Sequence, residues 1–144
     1  MTKILEFAAG TADRARLKLQ VRGRERPDLT EADDSNWLQG AIDVRSGTMA
    51  GSVPCSLRTE DLVDFRTGLA RMTDGQSATA ECKTMEGLLA IRIVCRGRDD
   101  LEVSGHISES VDGNRLAFRF TIPVAGIPLM LKDLDEILDE YPSN

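Results

Sequence analysis

Histidine is almost missing from this sequence, and cysteine and aromatic residues are scarce. His106 is the single histidine, and the cysteines Cys55, Cys82 and Cys95 are odd in number and never spaced C-x-x-C. One histidine and scattered thiols form no spaced ligand set, so neither a zinc site nor a disulfide framework is expected. The thiols sit in apolar or small stretches and read as reduced side chains of a cytosolic protein. No apolar run reaches the roughly 18 residues of a membrane span, and Met1–Gly10 lacks an apolar stretch of signal-peptide length. Cytoplasmic residence with no membrane association is the resulting expectation. G-x-x-x-x-G-K-[ST] is absent and Gly10 and Gly23 stand isolated, which removes a phosphate-cradling loop. No G-x-S-x-G elbow is present, and the acidic C-terminal stretch lacks the glycine-containing turn of a calcium loop.

The aromatic residues number six, and none interleaves with the arginines of Arg14–Arg26, the one basic stretch. Single-strand readers need stacking platforms there, so a solvated strand face paired with acids of a neighbouring strand is the better reading. No cofactor, no metal, no nucleic-acid partner and no catalytic group are expected, and hence no enzyme.

What the chain does have is the material for one core. Its 144 residues have the usual size of a single domain, taken as 1–144, and can bury a core without metal or disulfide. Hydrophobic residues at 41% support that core, while a net charge of −6 favours solubility and a basic partner over nucleic acid.

Periodicity supplies the elements. Ile4–Ala8 reads as a first strand. In Arg14–Arg24, Ala15, Leu17, Leu19 and Val21 alternate with arginines, lysine and glutamine, the period of a half-buried strand. Gly23–Asp34 is polar and reads as a loop. Ser46-Gly47 is expected to turn Ala41–Arg45 back onto Thr48–Leu57, setting Val44 against Met49, Ile42 against Gly51, Gly40 against Val53 and Leu38 against Cys55. A capping Thr59 with Glu60 and Asp61 behind it opens a helix near 59–73, striped by Leu62, Phe65, Leu69 and Met72. Ala78–Lys83 and Leu88–Arg96 form a further hairpin. Asp112-Gly113 is expected to join Leu101–Ser110 to Asn114–Pro123, with Ile107 on Phe118, Val103 on Ile122, His106 on Arg119 and Ser108 on Ala117. Gly105 would then face Phe120 and make room for its ring. Pro128 opens a final helix near 127–141, apolar at Met130, Leu131, Leu134, Ile137, Leu138 and Tyr141. The fold class predicted is α+β: a meandering antiparallel β-sheet of about eight strands, with two α-helices packed on one face.

His106 shares its strand face with Glu102, Ser104 and Ser108. Same-face neighbours lie about 7 Å apart along a strand, beyond hydrogen-bond reach, so a surface histidine near Arg119 is expected rather than a triad. Trp37 points opposite to Leu38 and is expected in the core or against a helix. The last helix is acidic on its wet side, either a solvated face or a partner surface. The candidate partner-binding residues are Asp133, Asp135, Glu136, Asp139 and Glu140, with Glu60, Asp61 and Asp64 next.

Short motifs recur in a characteristic order: Asp34-Ser35-Asn36-Trp37-Leu38, the hairpin Ile42–Gly51, and the helix start Leu57-Arg58-Thr59-Glu60-Asp61-Leu62-x-x-Phe65. Then come Thr84-Met85-Glu86, Leu89-x-Ile91-x-Ile93, Gly105-His106-Ile107 and Asp112-Gly113-Asn114-x-Leu116-x-Phe118-x-Phe120. Ile127-Pro128-x-x-Leu131-x-x-Leu134-x-x-Ile137-Leu138 closes the series. In this order the chain resembles the WapI-like immunity proteins of bacteria, from about Asp34 to Leu138. The resemblance implies a cytoplasmic antidote that binds and neutralises a toxin domain of a contact-dependent system, in the best-known cases a nuclease. A self-associating structural protein, possible as a homodimer through an exposed strand edge, or a small-ligand-binding domain is the alternative.

Overall fold

The computed structural model describes residues 4–11, 13–26 and 36–143. Along them one plan occurs twice, four strands and then a helix. The first unit holds β1 (Leu5–Thr11), β2 (Ala15–Arg24), β3 (Trp37–Ser46), β4 (Met49–Arg58) and α1 (Thr59–Thr73). The second holds β5 (Thr79–Lys83), β6 (Leu89–Arg96), β7 (Asp100–Ser108), β8 (Arg115–Pro123), a single 3₁₀ turn over Val124–Gly126, and α2 (Ile127–Glu140). The eight antiparallel strands and two helices of the expected α+β class are all present. They divide into two four-stranded meanders, β1-β2-β3-β4 and β5-β6-β7-β8. The division falls where α1 leaves β4, because a 15-residue helix carries the chain away from the sheet edge before β5 begins.

Each helix closes on the other unit. α1 packs along β5, α2 packs along β1, and the helices touch each other. The approach of α1 to β5 is close: a Cβ built on Gly68 would lie 3.0 Å from the Ala80 Cβ. Phe7 of β1 meets Phe65 of α1 edge to face, with centroids 5.4 Å apart and planes at 71°. One buried cluster therefore draws on both sheets and both helices, including Leu19, Ile42, Leu62, Ile93, Val103 and Leu134. The alternation seen in the sequence places these residues inward, and burial of that face drives the assembly.

Both predicted hairpin registers shift by two residues. Ser46 pairs with Met49, so the first loop is Gly47-Thr48 rather than Ser46-Gly47. Gly47 has φ +62°, the sign a II′ loop needs at its first position. Val44 accordingly faces Gly51, Ile42 faces Val53, Gly40 faces Cys55 and Leu38 faces Leu57. In the other hairpin Glu109 N donates to Asn114 O at 3.0 Å and Gly113 N to Ser110 O at 3.2 Å, a four-residue loop in place of Asp112-Gly113. Serine first and glycine last suit a type I turn. Ile107 then faces Leu116, Gly105 faces Phe118, Val103 faces Phe120, His106 faces Ala117 and Ser108 faces Arg115. A shift of two leaves every side chain on its expected face. Gly105 owes its identity to backbone geometry rather than to a ring: its φ is +151°, and a Cβ there would lie 1.9 Å from the Ala90 carbonyl oxygen.

The first helix also starts differently from expectation. Arg58 occupies the N-cap position. Thr59 is fully buried, and its hydroxyl lies 3.4 Å from the carbonyls of both Asn36 and Tyr141. Of the expected Gly23–Asp34 loop, residues 27–34 fall outside the described residues; β2 itself runs on through Gly23 and Arg24.

Candidate functional site

The eight acids singled out in the sequence fall on the two helices, and packing divides them. Asp61 turns inward with 7% exposure, and its Oδ2 accepts the Arg58 backbone N–H at 2.9 Å. It serves the helix N-terminus, where a carboxylate meets orphan donors and the positive end of the dipole. Glu60 Oε1 accepts from Asn36 Nδ2 at 2.6 Å and from Ser143 Oγ at 3.2 Å, tying the entry of β3 to the end of the chain. Asp133 is half-buried and accepts the Ala8 N–H of β1 at 3.2 Å, which covers part of that sheet edge. Burial raises its pKa above the usual carboxylate value, with the Ala8 hydrogen bond acting the other way.

Asp135 bridges the helices through Arg66 of α1, Nε to Oδ1 at 2.8 Å. The Asp135 hydrogen bond raises the pKa of Arg66 in turn. Sequence reasoning missed Arg66 as the counter-charge; its only signal was a basic residue on the wet side of α1. Glu136 stands 3.9 Å from Lys132, one turn back on its own helix. Asp64, Asp139 and Glu140 are exposed and make no ion pair within 4 Å among the described residues. The candidate surface is thus the outward side of the helices, with the Arg66–Asp135 bridge between them and exposed carboxylates on each. An exposed carboxylate can accept charge-assisted hydrogen bonds from a guanidinium or an ammonium group.

Residues that suggested other chemistry are not assembled for it. The Glu102 carboxylate is held by Arg96 at 3.3 Å and by Arg119 at 3.5 Å. His106 lies 2.7 Å from the Gly87 carbonyl through Nε2 and 2.8 Å from Arg115 Nη2 through Nδ1. A carbonyl only accepts and a guanidinium only donates, so these two contacts suit the tautomer with its proton on Nε2. The shifted register explains why Arg115 rather than Arg119 is its neighbour. Among the described residues, no group of three or more His, Cys, Asp or Glu is placed to hold a metal ion. Nor is any helix among them long and apolar enough to cross a membrane. Trp37 is half-buried rather than in the core, and it helps line a cleft of about 570 Å³, with Arg22, Gln39, Cys55, Met85 and Leu89 among the other lining residues.

Fold and surface together define a two-sheet, two-helix α+β domain that carries carboxylates on the outward side of its helices. The chain belongs to the immunity protein WapI-like family, whose profile matches residues 7–142. Proteins of that family are generally non-catalytic. No curated protein matches the chain. Among solved structures, a chain from "Crystal structures of trypanosoma bruciei MRP1/MRP2" aligns with a TM-score of 0.49 and 12% identity, over 97% of this chain and 86% of that one.

Proposed function

We propose that this protein is a cytoplasmic immunity protein that neutralises a basic toxin domain of a contact-dependent system by binding it through the outward carboxylates of α1 and α2. The match of residues 7–142 to an immunity family carries the reading. The carboxylates of Asp64, Glu136, Asp139 and Glu140 supply its chemistry, with Asp135 and Glu60 at the margin as already-paired acids. Asp133 and Asp61 support the surface from behind rather than touching the partner. A net charge of −6 steers a cationic domain toward this face and raises the encounter rate. A nuclease is the toxin class that fits best, since a domain that binds nucleic acid presents the cationic surface this face complements.

The test is a pull-down with the purified protein from lysate and secretome of its own organism, at low and at moderate salt. One stoichiometric basic protein, released as salt rises, is the expected result. An empty bait at both salt concentrations counts against the reading and leaves self-association as the better account. That second reading has its own observation: β4 and β8 each end a sheet, with no further strand paired to them among the described residues. Sedimentation velocity at micromolar concentration separates the two, a monomer favouring the antidote.

A further inference from the structure

The outward faces of the two sheets treat their charges differently. On the second sheet each of the outward arginines of the strands has a side-chain partner: Arg92 meets Glu81 at 3.5 Å, Glu102 holds both Arg96 and Arg119, and Arg115 is bonded to His106. On the first, Lys18 meets Glu6 at 3.9 Å, but Arg16 of β2 and Arg45 of β3 sit directly opposite each other in register. Opposed side chains on neighbouring antiparallel strands start about 5 Å apart at Cβ, and like charges there repel. Neither guanidinium has a carboxylate within 4 Å among the described residues. At the corresponding corner of the second sheet the opposed pair is Ala90 and His106. The first sheet therefore keeps a repulsive pair that its twin lacks.

The pair borders a depression of about 330 Å³ whose lining also includes Asp43, Gly51 and Ser52. Small residues on β4 leave the space open beside Arg45, which faces Ala50 across the strands. Two arginines and one aspartate give the depression one net positive charge, which a single carboxylate balances. A phosphodiester chain would bring many charges against a molecule of net charge −6, so the chemistry favours an isolated anion over nucleic acid.

We infer that Arg16 and Arg45 form a carboxylate-binding site that receives an Asp or Glu side chain of a protein partner, on a face distinct from the acidic helices. Guanidinium forks donate bidentately to a carboxylate, and the Ser52 hydroxyl can serve as a further donor. The inference stands apart from the toxin reading, because the site binds a carboxylate whichever protein presents it.

The experiment is an NMR titration of the full chain with sodium acetate, with sodium phosphate and sodium chloride as parallel arms at matched ionic strength. The arginine Nε–H signals of Arg16 and Arg45 and the Ser52 amide are followed. Saturable shifts with acetate at millimolar concentration are expected, with chloride giving only a linear drift. Arg45→Gln and Arg16→Gln should each weaken acetate binding at least fivefold while the remaining spectrum stays folded, and Arg45→Lys should retain only part of it. Removing the repulsion should also leave the melting temperature of Arg45→Gln equal to or slightly above that of the parent. Three results overturn the site: no saturation with acetate, saturation unchanged in the variants, or phosphate binding tenfold tighter than acetate.

Discussion

Gly105 carries a backbone conformation that no β-carbon fits. With φ at +151° and the Ala90 oxygen 1.9 Å from where a Cβ would stand, Gly105→Ala must move two strands or leave its own strand strained. Strain of this kind together with overpacking costs about 2–4 kcal/mol, and urea denaturation should show that loss with the slope preserved. Burial acts on the thiols in the same local way. It raises Cys55 to about 11 and Cys82 to about 12 from 9.0. The folded state then keeps protons that the unfolded chain releases above pH 9, so this contribution is intact below pH 9 and is lost as pH climbs toward 11. Denaturation midpoints should fall between pH 8 and pH 10, and Cys82, which is fully buried, should resist a disulfide-exchange reagent until the protein unfolds. Asp133 behaves oppositely to a paired carboxylate. Its raised pKa means that ionisation costs stability, and an asparagine oxygen there still accepts the Ala8 N–H. Asp133→Asn should therefore melt no lower than the parent at pH 7; a clear drop would show that the charge itself is needed.

At the scale of elements, the helices lock the two units together by exchanging strands to cover. Phe65 of α1 meets Phe7 of β1 inside the first unit, while the same helix covers β5 of the second. Phe65→Ala should cost about 3–5 kcal/mol and loosen both units in one cooperative transition, as hydrogen exchange on β1 and β5 would show. The strands and helices could be read from the sequence because periodicity of two or of about 3.6 is written locally. Which residues share a face was also readable, since Leu17, Leu19 and Val21 alternate whatever the register. The registers were not: Ser46-Gly47 and Asp112-Gly113 both look like two-residue loops, and only the φ of Gly47 and the Ser110–Gly113 turn distinguish the alternatives. The split into two sheets was hidden as well, because strand order depends on what α1 and α2 cover and not on any strand's own sequence. The same limit applies to the acids. Asp61 and Asp135 look like Asp139 in a helical wheel, yet one is spent on a helix terminus and another on Arg66, and only packing between distant segments decides that.

The whole molecule presents two faces of opposite character. The helices turn carboxylates outward, while at one corner of the first sheet Arg16 and Arg45 have no carboxylate within 4 Å among the described residues. A partner that is cationic overall and carries one well-placed acid would meet both. Association with such a partner should be fast at low salt and slow as salt screens the long-range field. Replacing Asp64, Glu136, Asp139 and Glu140 together by lysine should weaken it by about 10–100-fold, mostly through the association rate, while leaving the fold intact because none of the four is buried. The decisive measurement is growth of cells that express the captured partner domain, with this protein, with its four-lysine variant, or alone. The account predicts that the domain alone arrests growth, that the native protein restores it, and that the variant does not. Growth unaffected by the domain, or full rescue by the variant, would contradict it.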